Sequence, residues 1–124
     1  MRTPVTGDRV PKPIAPFSPA IRDGDLVYVS GHVGMDPKTG KLVPGDVAAQ
    51  TRQAIDNIEV VLKAAGKSLD SVLKVNVYLA DMNDFAAMNA EYGKRFTEPY
   101  PARTTIGVAA LPLGARVELE AVAR

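Results

Sequence analysis

Arg103 follows Pro101 and Ala102 at the entrance to a predicted strand. A guanidinium keeps its charge at physiological pH, and its planar fork matches a carboxylate through two parallel hydrogen bonds. By position alone, the commoner fate of such a residue is a surface ion pair. The sharper reading is a clamp for a small carboxylate-bearing substrate. Glu118 and Glu120 stand two apart in the last predicted strand, so both point to one face, with Arg116 beside them. A solvated strand face is the plain reading. The alternative sets one glutamate next to Arg103 on the neighbouring strand, where a carboxylate orders or deprotonates a water molecule. The period of two does not choose between the glutamates.

Ser30 and Gly31 end another predicted strand. Gly31 lets a ligand approach the backbone closely, and the Ser30 hydroxyl offers a hydrogen bond, although small residues at strand ends are commonly structural. His32, the only histidine, points to the face opposite Gly31 and is expected to be a satisfied structural residue. Asn89 lies one residue past Met88 on a predicted helix and is expected to be partly buried and bonded to backbone.

Composition removes several classes of function. The chain of 124 residues fits one domain spanning 1–124 and can bury a core without covalent staples. It has no cysteine, which rules out thiolate chemistry and cysteine metal sites and suits a reducing compartment. The acidic residues lack the loop spacing of a cation site, so no metal is expected. Net charge is +1 with the basic residues scattered, so the stripe of a nucleic-acid binder is absent. No apolar run is long enough to span a bilayer and the N-terminus has no apolar signal core, which predicts a cytoplasmic protein.

The hydrophobic pattern supplies the elements that must position these residues. After an irregular lead-in of sixteen residues, Phe17 to Ile21 is a short predicted strand. Arg22-Asp23-Gly24-Asp25 turns the chain into a second strand, Leu26 to Val33. Asp36-Pro37-Lys38-Thr39-Gly40 is another turn, before a short returning strand at Lys41 to Val43. Asp46 caps a helix whose apolar positions run from Val47 to Ala65, stopped by Gly66. Ser71 to Ala80 alternates, with Leu73, Val75, Val77 and Leu79 on one face. Asp84 begins a second helix with a stripe of Phe85, Met88, Tyr92 and Phe96. Strands at Thr104 to Ala109 and Arg116 to Ala123 close the chain.

The result is an α/β two-layer sandwich with both helices on one face of a mixed sheet. The other face, carrying Tyr28, Ser30, Asn76, Tyr78 and Thr105, is left half polar and partly bare. Such a face predicts a homo-oligomer.

Together these segments resemble the Rid family of reactive-intermediate deaminases, also called YjgF-like or endoribonuclease L-PSP proteins. The pieces are Pro16-Phe17-Ser18, Val29-Ser30-Gly31, Asp36 to Gly40, Gln50-Thr51-Arg52-Gln53-Ala54, Asn83-Asp84-Phe85 with Asn89, and Pro101-Ala102-Arg103-Thr104 through Val117-Glu118-Leu119-Glu120-Ala121. The terminal stretch is the family's signature. The resemblance implies a chorismate-mutase-like fold, a homotrimer with sites in the clefts between subunits, and a reaction without cofactor. Reactive 2-imino and 2-enamino acids, such as 2-aminoacrylate, 2-iminopropionate and 2-iminobutyrate, would be hydrolysed to 2-oxo acids and ammonia. It assigns the carboxylate clamp to Arg103 and the acid beside the catalytic water to Glu118. It also assigns Ser30, Gly31, Asn89 and Thr105 to the ligand. Phe17 stands where the archetypes carry tyrosine, so the aromatic wall is kept and a phenolic hydroxyl is lost. Thr105 stands where many carry cysteine. The Phe17 change favours two further readings: a non-catalytic binder or sensor of small 2-oxo acids, or a deaminase of a different enamine. A ribonuclease, the third, is disfavoured by the near-neutral charge.

Overall fold

The computed structural model describes all 124 residues. Its strands are β1 (Thr3–Pro4), β2 (Ala20–Asp23), β3 (Leu26–Val33), β4 (Val72–Leu79), β5 (Ala102–Gly107) and β6 (Val117–Ala123). The helices are α1 (Val47–Ala64) and α2 (Phe85–Arg95). One six-stranded sheet runs β1-β2-β3-β6-β4-β5. Every neighbouring pair is antiparallel except β4 and β5, which are joined through α2 and run parallel. The mixed sheet with two helices is the α/β sandwich expected from the pattern.

Local chemistry explains most boundaries. Asp46 accepts a hydrogen bond from the Ala49 amide at 3.2 Å and starts α1. Gly66, at φ 74°, ends it: the Gly66 amide donates to Lys63 and the Lys67 amide to Leu62. Val47, Ala54, Ile55, Ile58, Val61 and Leu62 form the buried stripe between. They pack on Val27, Val29, Val75, Val77, Leu79, Val117, Leu119, Ala121 and Ala123 from the sheet. Burying each of the larger aliphatic side chains contributes roughly 1.5–3 kcal/mol, which drives the two layers together.

Several expectations shift. Thr3–Pro4 is a short edge strand inside the supposedly irregular lead-in, and the Phe17 strand begins only at Ala20. The returning strand at Lys41 to Val43 shrinks to one bridge between Met35 and Leu42. Leu73 is half exposed because the β4–β6 register slips between Val72 and Lys74, so Val72 takes the buried place instead. Thr105 pairs with Val77 and lies on the helix side, while Thr104 faces the open side.

Candidate active site

The open face of the sheet carries the carboxylates. Glu118 pairs across the sheet with Tyr78 on one side and Val33 on the other, and Glu120 pairs with Asn76. The two glutamates differ sharply in their partners. Glu120 accepts hydrogen bonds from Asn76 Nδ2 at 3.1 Å and from the Tyr78 hydroxyl, both on Oε1. Glu118 has no hydrogen-bond partner in its own chain. Burial, aided by the charge of Glu120, pushes the Glu118 carboxyl above the usual carboxylate range. The hydrogen bond to Glu120, with burial and the charge of both glutamates behind it, raises the Tyr78 phenol to about 12.

A bulge makes room for Glu118. Between Val29, opposite Ala121, and His32, opposite Leu119, β3 holds one residue more than β6. Gly31 sits in this bulge, where a Cβ would lie 2.9 Å from Glu118 Cδ and 3.0 Å from its Oε1. Only glycine leaves the carboxylate undisturbed. The Ser30 hydroxyl donates to the Ser18 carbonyl at 2.5 Å and its amide to Pro19 at 2.9 Å. These bonds pin the loop carrying Phe17, a residue 57% exposed, to the same end of β3.

His32 turns to the helix side beside Leu119. Its Nε2 is buried without a partner, contrary to the expectation of a satisfied histidine, and desolvation lowers its pKa to about 4.

Arg103 occupies different ground. It pairs with Val75, so its side chain leaves the sheet on the helix side. There its guanidinium lies 4.7 Å from the Tyr92 ring centre and 5.7 Å from that of Phe85. Phe85 and Tyr92 lie on one face of α2, with Asn89 at helical spacing between them, and the two rings form a platform under the cation. Arg103 joins none of the chain's ion pairs. On the same helix face and strand, Asn89 Oδ1, the Tyr92 hydroxyl and Thr105 Oγ1 are buried without partners. Asn89 therefore lacks the backbone bond expected of it.

The expected juxtaposition of Arg103 with a glutamate on the next strand does not occur within one chain. β4 separates β5 from β6, and the two side chains leave opposite faces. Arg116 is engaged elsewhere than with the glutamates. It lies just before β6 and grips Asp84 with Nε at 3.0 Å and Nη2 at 2.7 Å, while its amide donates to Gln50. The roles of Tyr78 and Asn76 were missed in the sequence, although their alternation with Val75 and Val77 already puts them on the carboxylate face.

The Endoribonuclease L-PSP family profile matches residues 7–124. A RutC family protein of Pyrococcus horikoshii is 47% identical over 123 residues, 99% of this chain and 98% of that protein. The bovine 2-iminobutanoate/2-iminopropanoate deaminase is 46% identical over 123 residues, 99% of this chain and 90% of its own. The crystal structure of RidA from the Antarctic bacterium Psychrobacter superposes with a TM-score of 0.92 at 42% identity, covering 98% of each chain. With its sequence alike from end to end and its sheet and helices in the YjgF-like, chorismate-mutase-like arrangement, the chain belongs to the Rid family.

Proposed function

We propose that the protein is a hydrolytic deaminase of small 2-imino and 2-enamino acids, forming 2-oxo acids and ammonia without a cofactor. The carrying observation is Arg103, a cation with no carboxylate partner in its own chain, held over Tyr92 and Phe85, with the unpartnered polar atoms of Asn89 and Thr105 on the same helix face and strand. That is the chemistry of a clamp for a substrate carboxylate. Glu118 is the group that directs water at the C=N carbon. An imine carbon is already electrophilic, so holding it, orienting it and aiming a water supplies the catalysis. The full-length likeness to 2-iminobutanoate/2-iminopropanoate deaminases supports this substrate class.

Because Arg103 and Glu118 leave opposite faces of the sheet, the reading requires a second copy of the chain. We assign the site to a subunit boundary of a homotrimer. One copy contributes Arg103, Thr105 and Asn89, and the next contributes Glu118, Gly31, Ser30 and Phe17. The cysteine-free composition suits action in the cytoplasm.

The test is to generate 2-iminopropionate in situ with an amino-acid oxidase and follow its decay. Acceleration by the pure protein is expected, and none would sink the proposal. Phe17 in place of tyrosine keeps a second reading in view, a binder of 2-oxo acids. Saturable pyruvate binding by calorimetry without imine turnover would favour it.

A further inference from the structure

Two carboxylates two residues apart on one face, with one capped and the other bare, form an asymmetric pair. We infer that Glu120, anchored by Tyr78 and Asn76, is a positioning residue that holds its charge on the face of Glu118 and so keeps Glu118 as the group that accepts and returns the reaction's proton. The inference rests on the reaction proposed above and deepens it.

The geometry gives each group a separate task. Asn76 and Tyr78 stand on β4 directly across from Glu120 and Glu118 and bind the same Glu120 oxygen. Two donors on one oxygen fix the rotamer and keep this carboxylate from swinging onto substrate. Its negative charge is thereby held beside Glu118, which has no donor of its own and is partly desolvated. A like charge held close in a partly buried setting disfavours ionisation of the neighbour. The groups facing Glu118 are Glu120 on its own strand and Tyr78 on β4, with Val33 and the Gly31 backbone on β3 adding no charge. At the proposed boundary Arg103 of the next copy also faces it and opposes Glu120. Burial raises the Glu118 carboxyl first, and these two charges act on top of it in opposite senses.

A carboxyl group with raised proton affinity is a better base and still a competent acid. In the reaction the water oxygen bonds to the carbon of the protonated imine, the C=N π pair moves to nitrogen to leave a neutral amine, and a water proton passes to Glu118. Glu118 then returns that proton to the nitrogen of the carbinolamine. The C–N bond breaks with its pair on nitrogen, the hydroxyl proton leaves to Glu118 or solvent, and the products are the 2-oxo acid and ammonia.

The test is Glu120→Gln, which keeps an acceptor for Tyr78 and removes the charge. The Glu118 carboxyl carbon is followed by NMR against pH in the wild type and the variant, and the pH profile of kcat/KM is recorded for both. The midpoint of Glu118 and the acid limb are expected to move together to lower pH, with kcat falling several-fold. A lower kcat with an unmoved Glu118 midpoint and acid limb would reduce Glu120 to a structural residue and overturn the inference. Should the variant not fold, the wild-type titration decides. Glu118 must titrate above ordinary glutamate, and a midpoint at the ordinary value overturns the inference. The NMR readout needs no turnover, so a protein inactive on imines would sink the proposed reaction while leaving the Glu118–Glu120 coupling separately measured.

Discussion

Arg103 and Glu118 lie on opposite faces of one sheet, with β4 between their strands. Neither residue can reach a substrate held by the other within a single chain. Each is nevertheless supported with care, the arginine by an aromatic platform and the glutamate by a glycine bulge.

This arrangement makes complementation the sharpest check on the shared site. Arg103→Ala should lower kcat/KM by ~100-fold or more, since charged hydrogen bonds to a substrate carboxylate are each worth about 1.5–3 kcal/mol. Glu118→Ala should be similarly impaired. Co-assembling the two variants should restore about a quarter of wild-type activity, because one boundary in four of a random cyclic mixture joins an intact Arg103 to an intact Glu118. A mixture as inactive as its components would refute a shared site.

Two glycines separate function from folding. A Cβ at Gly31 meets only the movable end of Glu118. Gly31→Ala should melt within ~1 kcal/mol of the wild type while losing at least ~10-fold in turnover. At Gly34 a Cβ would sit 2.6 Å from the Cα and carbonyl oxygen of Gln50, backbone atoms of α1 that cannot step aside. Gly34→Ala should cost about 1–3 kcal/mol in denaturant unfolding through overpacking.

Acid should destabilise the protein partly through His32. Its folded pKa of about 4 lies below the ordinary 6.5, so the unfolded state binds the proton first. Stability is therefore lost as pH falls from 6.5 toward 4, by up to about 3 kcal/mol at 1.36 kcal/mol per unit, and no further below that. Glu118 acts in the opposite sense, because folding raises its proton affinity. His32→Met, which also removes an orphaned ring nitrogen, should flatten the fall in melting temperature between pH 7 and pH 4.5.

Phe17 is open to a direct substitution. The residue is largely exposed, so Phe17→Tyr should leave the melting temperature unchanged. If the phenol reaches the substrate, kcat/KM should rise several-fold on 2-iminopropionate. An unchanged value would show that the wall, and not a hydroxyl, is what this position supplies.

The elements themselves were legible because they rest on local chemistry. Asp46, the stripe from Val47 to Leu62 and Gly66 carry their own start, face and stop. The alternation of Val75, Val77 and Leu79 likewise identifies a half-buried strand. What stayed hidden depends on pairing between distant segments. Nothing near Arg103 reveals that β4 intervenes before β6, and nothing near Thr105 reveals that it shares a face with Val77. Arg116 looked like a companion of the glutamates because its parity matches theirs. Asp84, thirty-two residues earlier, captures it instead. The choice between Glu118 and Glu120 also lay beyond periodicity, since it turns on which of them Tyr78 and Asn76 cap.

The extra residue in β3 has a consequence for how many proton carriers the open face holds. In an unbulged strand continuing from the pairing of Val29 with Ala121, His32 would fall opposite Glu118, where Val33 now stands. An imidazole there would offer the carboxylate a positive partner, hold it ionised and compete with it for the proton. The insertion rotates that imidazole into the interior and leaves glycine and valine beside the glutamate. One added backbone unit thus works as a valve on proton traffic, keeping off the open face an imidazole that a regular strand would have delivered there.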